Sequence, residues 1–367
     1  MQREGSRTGQ GEPDERRERN RLSGAEGLGS AAGLVQDAAA EGLTSAAGLA
    51  HDGYAECLGN AACLAHGAPA ECLGSAAGLV QDAYADVATH RRVTAIVRAH
   101  STTWEDIRDV ALRDVPLASC RNILDLGCGF GFFTEALGGR VNADGCVTGI
   151  DCVGAYREAF LATCAHAGLK GKFLEGSASL LKTFEERSFD LVLCSYALYF
   201  FPEAIPSVAR ILATTGWFVA ILHDRDNMRE LVELARRLGP SSSLSRAPLP
   251  LESLLGTLAS ENAPEALGRC FAEVQSIPFP NSIVFERDEA DALVTYVKFK
   301  APLLGLAGAR DRLGGELEGC VRSLLERTGR YTITKNDTVF VCRGPRCRGP
   351  EASRQQTQDP SIGGGKR

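Results

Sequence analysis

The sequence lacks several features that would assign it to other classes of protein. Its 367 residues carry a net charge of −6, and without an excess of positive charge we expect no nucleic-acid partner. It has no apolar run of the roughly 18 residues that a membrane span requires, and its first residues lack the apolar segment of a signal peptide. The thirteen cysteines form no C-x-x-C pair, which argues against a metal site. We therefore expect a cytoplasmic protein with no metal and no membrane partner.

The N-terminal region contains a tandem repeat. Residues 23–86 hold four 15-residue units, which are Gly27–Glu41, Gly42–Glu56, Cys57–Glu71 and Cys72–Asp86. Alanine favours helix in these units, but each of their glycines costs about 1 kcal/mol in a helix. We interpret the repeats as low-complexity or weakly helical sequence, with disordered tails over 1–22 and 344–367. Residues 87–343 then form the folded domain, with its ligand-binding core at about 120–225.

The most informative segment is Ile123–Gly131, in which an apolar run ends in Asp125 and three glycines follow at alternate positions. This pattern predicts a buried strand that passes into a tight turn, where glycine permits positive φ and close approach of a ligand. We expect the following helix, Phe132–Leu137, to direct its N-terminal amides at the same place. The dinucleotide pattern G-x-G-x-x-G would place its third glycine at position 132, but that residue is Phe132 and the third glycine comes one residue earlier, at Gly131.

A second acid follows a second predicted strand. Cys146–Asp151 is an apolar run that ends in a carboxylate, one helix and two short loops after Asp125. A carboxylate at this position can accept hydrogen bonds from both hydroxyls of a ribose. The alternative is that Asp151 caps the helix that begins near Tyr156.

Further strands are predicted at Lys172–Glu175, Phe189–Ser195 and Gly216–His223, with a turn at Thr214–Gly216. Strands that alternate with helices form a parallel sheet covered by helices. Ligands of such sheets bind at the carboxyl ends of the strands. Two late strands are predicted at Cys270–Ile277 and Tyr331–Cys342.

These segments together resemble the class I S-adenosylmethionine (SAM) dependent methyltransferases, over about residues 84–343. The resemblance implies an α/β fold of the Rossmann-like, doubly wound type. Its sheet would be mostly parallel and seven-stranded, and its antiparallel last strand would form a hairpin at the sheet edge. It also implies SAM as the cofactor. The residues that match the family's cofactor site are Asp125, Gly127, Cys128, Gly129, Gly131, Asp151, Ser177, Ala178 and Ser195. Ser177 departs from the family, which often has Asp there to bond the adenine amino group.

The acceptor is less constrained than the cofactor. The sequence lacks the Pro-Pro-aromatic motif of DNA amino-methylating enzymes and the Pro-Cys dipeptide of RNA cytosine enzymes, which favours a small-molecule acceptor. Some acceptors need a base within hydrogen-bond reach, and the candidates are His223, Tyr199 and His100. Two alternatives stay open, namely an NAD(P)-dependent oxidoreductase and a non-catalytic SAM-binding or scaffold protein.

Overall fold

A computed structural model describes residues 76–238, 247–306 and 314–346 of the chain. Most of the predicted repeat region and both predicted tails lie outside the described residues, apart from 344–346. The last repeat unit, Cys72–Asp86, overlaps a described helix at Ala76–Tyr84. Within the described ranges, no helix has the length and the apolar character that a membrane span requires.

The described chain alternates between strands and helices. The strands are β1 (Asn122–Leu126), β2 (Cys146–Asp151), β3 (Lys170–Glu175), β4 (Phe189–Ser195), β5 (Leu212–His223), β6 (Phe271–Phe279), β7 (Ser282–Glu286), β8 (Arg330–Thr334) and β9 (Asp337–Pro345). The helices are α1 (Ala76–Tyr84), α2 (Val87–His100), α3 (Ile107–Leu112), α4 (Phe132–Glu135), α5 (Tyr156–His166), α6 (Ile205–Ile211), α7 (Arg229–Leu238), α8 (Pro250–Thr257), α9 (Ala263–Gly268), α10 (Ala290–Lys300) and α11 (Gly314–Thr328).

The chain divides into two compact units. Among the described residues, the larger comprises 85–87, 105–238, 247–282 and 332–346 and contains a seven-stranded sheet in the order β3-β2-β1-β4-β5-β9-β6. The pairs from β3 through β5 are parallel, whereas β9 runs antiparallel to both of its neighbours, β5 and β6. The predicted mostly parallel, seven-stranded sheet with an antiparallel last strand is therefore confirmed. Its central strands are nearly continuous apolar runs because both faces of a parallel sheet are covered.

Among the described residues, the smaller unit comprises 76–84, 88–104, 283–306 and 314–331. His100 at the end of α2 stacks on Phe285 of β7, with ring centroids 4.5 Å apart. Tyr84 and His90 pack against Phe299 of α10 at 5.5 and 5.3 Å. Burial, with a further contribution from the Lys300 charge, lowers the pKa of His90 to about 3. His90 is therefore a neutral aromatic member of this helical core at physiological pH.

Two predictions among the strands were wrong in detail. The predicted turn at Thr214–Gly216 lies inside β5, because Leu212 pairs with Phe189 and the register then shifts so that Trp217 pairs with Leu191. The predicted strand Tyr331–Cys342 is two strands, β8 and β9, interrupted at Lys335–Asn336. The interruption has a tertiary cause, since the Lys335 N–H donates to the Asn281 carbonyl.

The predicted antiparallel pair of late strands at the sheet edge is confirmed, since β6 and β9 are antiparallel neighbours there. β7, α10, α11 and β8 lie between them along the chain. β7 was not predicted, and it pairs with β8 in a separate two-stranded sheet. Because β6 and β9 are far apart along the chain, their pairing is a long-range tertiary contact and does not come from a short turn between them.

Candidate functional site

The turn after β1 has the backbone that its glycines predict. Gly127, Gly129 and Gly131 have φ of 73°, 49° and 86°, a region that side chains other than glycine rarely adopt. At Gly127 an added Cβ would also lie 2.5 Å from the Cβ of Ala197, which follows β4. The turn therefore passes so close to the end of the neighbouring strand that only a hydrogen atom fits.

The amide groups of this turn are used within the protein. The N–H groups of Gly127 and Cys128 donate to the Ile150 carbonyl at 2.8 and 3.1 Å, and that of Gly131 donates to the Cys128 carbonyl at 2.9 Å. The Gly129 N–H donates to Asp151 Oδ2 at 2.9 Å. The predicted helix Phe132–Leu137 is only the four residues of α4, because the chain turns after Glu135 and reaches Gly139 with φ of 68°. The amides of Gly127, Cys128, Gly129 and Gly131 are therefore already used within the protein.

Asp151 links the ends of β1 and β2. Its Oδ2 accepts from Gly129, and its Oδ1 accepts from the Val153 N–H at 2.9 Å. Helix α5 begins at Tyr156 with Ala155 as its N-cap, so Asp151 does not cap that helix. A carboxylate has about four acceptor sites, so two backbone bonds leave capacity for further donors. Burial raises the pKa of Asp151, although these backbone bonds oppose the shift.

Asp125 is buried at the end of β1, with 1% of its surface exposed. Its Oδ2 accepts from the Thr134 hydroxyl at 2.7 Å, and its Oδ1 has no hydrogen-bond partner within the described ranges. Burial, together with the charge of Asp151, raises the pKa of Asp125 to about 7 despite the Thr134 bond. A carboxylate left unsatisfied in this way would gain from a cationic or hydrogen-donating ligand.

This raised pKa predicts how stability depends on pH. Between its unfolded value of about 3.9 and its folded value of about 7, Asp125 binds its proton more tightly in the folded chain. The free energy of unfolding should therefore fall across this window by roughly 4 kcal/mol from this group alone. Asp125→Asn cannot ionise and keeps an acceptor for Thr134, so its stability relative to the natural chain should rise with pH and level off above pH 7. Urea denaturation from pH 4.5 to 8 measures this.

The opposite dependence of stability on pH is expected from Glu230. Burial raises its pKa, but hydrogen bonds from the Thr334 N–H and hydroxyl outweigh burial and leave the pKa lowered. Glu230→Gln should therefore lose stability relative to the natural chain as pH rises through about 4.

For Asp125, parallel curves of stability against pH for the natural chain and Asp125→Asn would contradict the burial of an ionisable carboxylate at position 125.

The remaining predicted cofactor residues lie at the same edge of the sheet. Ser177 follows β3, is exposed, and caps the 3-10 turn that begins at Ala178, with its hydroxyl 2.7 Å from that of Ser179. Ser195 ends β4 and pairs in register with Ile221 of β5. Cys128 is buried, and burial raises the pKa of its thiol well above the ordinary value. The structure thus brings all nine predicted positions to the carboxyl ends of β1 to β4.

The three candidate bases have different surroundings. His223 ends β5, is 5% exposed, and its Nδ1 lies 2.6 Å from Asp337 Oδ1. Tyr199 is buried beside it, with the two rings stacked at 5.7 Å. His100 belongs to the smaller unit, where its Nδ1 lies 3.1 Å from the Val284 carbonyl oxygen. Only His223 and Tyr199 therefore lie within the unit that carries the predicted cofactor residues.

Sequence reasoning missed the residues that surround His223. Asp337 is 2% exposed, and it also accepts from the Tyr196 hydroxyl at 2.9 Å and from Lys335 Nζ at 2.6 Å. Asn227 Nδ2 lies 3.3 Å from the same carboxylate. The local signal was the polar run Lys335–Asp337 between two apolar runs, which is unusual inside a single buried strand.

Comparison with known proteins agrees with this architecture. The fold is that of the class I, Rossmann-like SAM-dependent methyltransferases. Residues 123–216, from β1 into β5, match the family described as "Methyltransferase domain". The chain is 31% identical over 151 residues to aklanonic acid methyltransferase DauC of Streptomyces sp. (strain C5), which covers 41% of this chain and 65% of that protein. The alignment thus spans slightly less than two thirds of that relative.

Two solved structures are also similar. Phosphoethanolamine N-methyltransferase 2 of Haemonchus contortus, solved with phosphomonomethylethanolamine and S-adenosylhomocysteine, shares 12% identity with a TM-score of 0.46 and covers 75% of this chain and 61% of that one. YcgJ of Bacillus subtilis shares 18% identity with a TM-score of 0.39 and covers 63% of this chain and 95% of that one.

Proposed function

We propose that this protein transfers a methyl group from SAM to a small-molecule acceptor. The observation that carries the proposal is a glycine turn, with amides that donate within the protein, beside the buried carboxylate of Asp125 and the half-buried carboxylate of Asp151. Asp125 and Asp151 flank a turn whose amides at Gly127, Cys128, Gly129 and Gly131 already donate within the protein. A dinucleotide requires such amides for its pyrophosphate, and the two carboxylates would repel that anion. The two carboxylates would instead attract a nucleoside that carries a positive charge.

The residues present fit this group. Asp151 retains acceptor capacity for the two ribose hydroxyls, beside its bonds to Gly129 and Val153. The unsatisfied, buried Asp125 Oδ1 supplies negative potential for the cationic part of the ligand. Ser177 and Ala178 at the end of β3 would contact the adenine, and Ser195 at the end of β4 would lie between the cofactor and the acceptor. SAM, when bound, supplies an electrophilic methyl on a sulfonium.

The acceptor would lie on the β4–β5 side of the cofactor. Tyr199 is buried and forms an apolar wall there, and His223 at the end of β5 is the proposed base. Enzymes of this kind act chiefly by aligning the reacting atoms and excluding water. The relative named above is an aklanonic acid methyltransferase, so small organic acids are the acceptors to test first.

Ligand-dependent melting of the full chain tests the proposal. At a hundred times its Kd, SAM or S-adenosylhomocysteine should stabilise the folded chain by about 2.7 kcal/mol, which corresponds to roughly 5–10 °C in Tm. NADH and NADPH should give no shift, because Asp125 and Asp151 would repel a pyrophosphate and four amides of the turn already donate within the protein. A shift with NADH and none with S-adenosylhomocysteine would favour the oxidoreductase alternative.

A further inference from the structure

The glycine turn after β1 is held from outside at two of its carbonyl groups. Phe130 lies between the second and third glycines, and Phe132 follows the third. The Phe130 carbonyl accepts from the Thr163 hydroxyl of α5 at 2.7 Å, and the Phe132 carbonyl accepts from Arg108 Nη1 of α3 at 3.1 Å. We name Arg108 and Thr163 the turn brace. Both residues belong to the larger unit, and each supplies one side chain to a backbone that is rich in glycine.

The guanidinium of Arg108 is fixed by two carboxylates. Its Nε lies 3.1 and 3.2 Å from the two carboxylate oxygens of Asp106, and its Nη2 lies 2.8 Å from Asp106 Oδ2, so this pair is bidentate. Its Nη1 also donates to Glu135 Oε2 of α4 at 2.8 Å. Burial lowers the pKa of Arg108, but the bonds to Asp106 and Glu135 outweigh burial and leave the pKa raised. The group is therefore charged, and the protein itself sets its orientation.

Arg108 contacts the side chain of Phe132 as well as its carbonyl. The guanidinium carbon lies 4.3 Å from the centre of the Phe132 ring, and that ring meets the ring of Phe133 edge-on at 5.5 Å. Arginine can stack on an aromatic face and donate several hydrogen bonds because its guanidinium is planar, whereas the ammonium of lysine is a compact point charge. Arg108 therefore fixes both the backbone and the ring of the residue that follows the third glycine.

Helix α5 supports the turn through Thr163. An added Cβ at Gly131 would lie 3.1 Å from Thr163 Cγ2 and 3.2 Å from Phe160 Cδ2, so α5 packs directly against the third glycine. The Thr163 hydroxyl lies 2.7 Å from the Phe130 carbonyl and 3.0 Å from the Ala159 carbonyl of its own helix. The shorter bond is therefore the one that Thr163 makes to the turn.

The braced residues adjoin the amide that orients Asp151. The Gly129 N–H donates to Asp151 Oδ2 at 2.9 Å, and the next residue is Phe130, whose carbonyl Thr163 holds. Glycine has the greatest backbone freedom of any residue, so an unsupported turn would sample several conformations. If only a fraction of the molecules have the turn in its binding conformation, the apparent Kd for the ligand rises by the inverse of that fraction. A turn that is held in advance therefore binds more tightly without any new contact to the ligand.

We propose that Arg108 and Thr163 are positioning residues for the cofactor, which hold the carbonyls of Phe132 and Phe130 in the conformation that binds SAM before SAM arrives. This inference rests on the proposed use of SAM. Neither residue is among the nine predicted cofactor positions, and both act through the turn.

Calorimetric titration of the full chain with S-adenosylhomocysteine tests the role of Arg108. Arg108→Lys retains a positive charge beside Asp106 and Glu135 but loses the planar stack on Phe132 and the forked set of donors. We expect Kd to rise roughly tenfold, which corresponds to a binding-competent turn in about one molecule in ten. An unchanged Kd in folded Arg108→Lys would overturn its role.

Thr163 offers a matched pair of variants. Thr163→Val removes the hydroxyl but retains the branched shape, whereas Thr163→Ser retains the hydroxyl. The Kd for S-adenosylhomocysteine should rise roughly tenfold in Thr163→Val and stay close to the natural value in Thr163→Ser. Equal values for the two variants would overturn the role of the hydroxyl. This pair also tests the turn brace if Arg108→Lys folds poorly.

Hydrogen exchange separates positioning from a general loss of stability. The N–H groups of Gly131 and Glu135 donate to the Cys128 and Gly131 carbonyls, so they should exchange slowly in the unliganded natural chain. In unliganded Arg108→Lys and Thr163→Val they should exchange roughly tenfold faster, and saturation with S-adenosylhomocysteine should restore the natural rate. Faster exchange that extends equally over the whole sheet would indicate a loss of global stability and would overturn the positioning role.

Arg140→Gln is the matched control. Arg140 Nη1 donates to the carbonyl of Ala136, at the end of α4, and lies 3.5 Å from Asp109 Oδ1 of α3. It thus links the same two parts of the chain at the far end of α4. Its affinity for S-adenosylhomocysteine and its exchange at Gly131 should equal those of the natural chain. A tenfold loss of affinity in Arg140→Gln would show that any link between α3 and α4 has this effect, and would overturn the specific role of Arg108.

The same measurements distinguish this inference from the proposed function. Absence of S-adenosylhomocysteine binding by the natural chain would refute the proposed function. Normal binding by the natural chain, with unchanged affinity in Arg108→Lys and Thr163→Val, would refute only the role of the turn brace.

Discussion

Replacing Asp151 with alanine should weaken SAM binding by roughly 10²–10⁴-fold. Hydrogen bonds to a charged group contribute about 1.5–3 kcal/mol each, and two ribose hydroxyls would donate to this carboxylate. Part of the loss would come from the turn, because the Gly129 and Val153 N–H groups lose their acceptor. Isothermal titration calorimetry with S-adenosylhomocysteine measures the change directly.

A milder variant separates these contributions. Asp151→Asn retains one acceptor oxygen but removes the charge, so binding should weaken less than in Asp151→Ala. Asp190→Ala, which removes a carboxylate that bonds two backbone amides at the other end of the sheet, should leave the affinity unchanged. Full affinity in folded Asp151→Ala would show that this carboxylate only holds the turn.

Gly127→Ala should destabilise the protein by about 2–5 kcal/mol. Its φ of 73° costs a residue with a Cβ about 1–2 kcal/mol. The new Cβ would also lie 2.5 Å from that of Ala197, and overpacking of this kind costs about 1–3 kcal/mol. Because the turn must move away from the end of β4, cofactor binding should fall together with stability. Urea denaturation and ligand-dependent melting measure the two effects.

Gly139→Ala is the matched control. Gly139 also has a positive φ, 68°, but a Cβ there would meet nothing within 4 Å. It should therefore cost only the backbone term of about 1–2 kcal/mol and leave cofactor binding unchanged. Equal losses in the free energy of unfolding for Gly127→Ala and Gly139→Ala would mean that Ala197 can move aside and that the close approach of the turn to β4 is not essential.

The glycine turn and Asp151 were accessible from sequence because each forms a contiguous signal. A buried apolar run, an acid and closely spaced glycines all lie within Ile123–Gly131, and the strand propensity and the need for positive φ are both local properties. The internal use of the turn amides was not accessible in this way. It depends on the Ile150 carbonyl and the Asp151 side chain, which belong to the next strand.

The late part of the chain was harder to predict. A single strand over Tyr331–Cys342 fits the apolar pattern, but contacts with Asn281 and Glu230 divide it. Likewise, the unpredicted β7 is short, and its partner β8 lies far along the chain. Non-local pairing of this kind overrides local propensity.

The sequence by itself determined the alternation of strands and helices, the glycine turn and the carboxylates at the ends of β1 and β2, because hydrophobic period and backbone freedom act over a few residues. Only the tertiary structure decided which carboxylate contacts His223. Asp337 lies 114 residues further along the chain, and it reaches the imidazole because β9 inserts antiparallel between β5 and β6. The antiparallel direction places the first residue of β9 beside the last residue of β5, and that pairing brings the carboxylate to the edge of the sheet where the predicted cofactor residues lie.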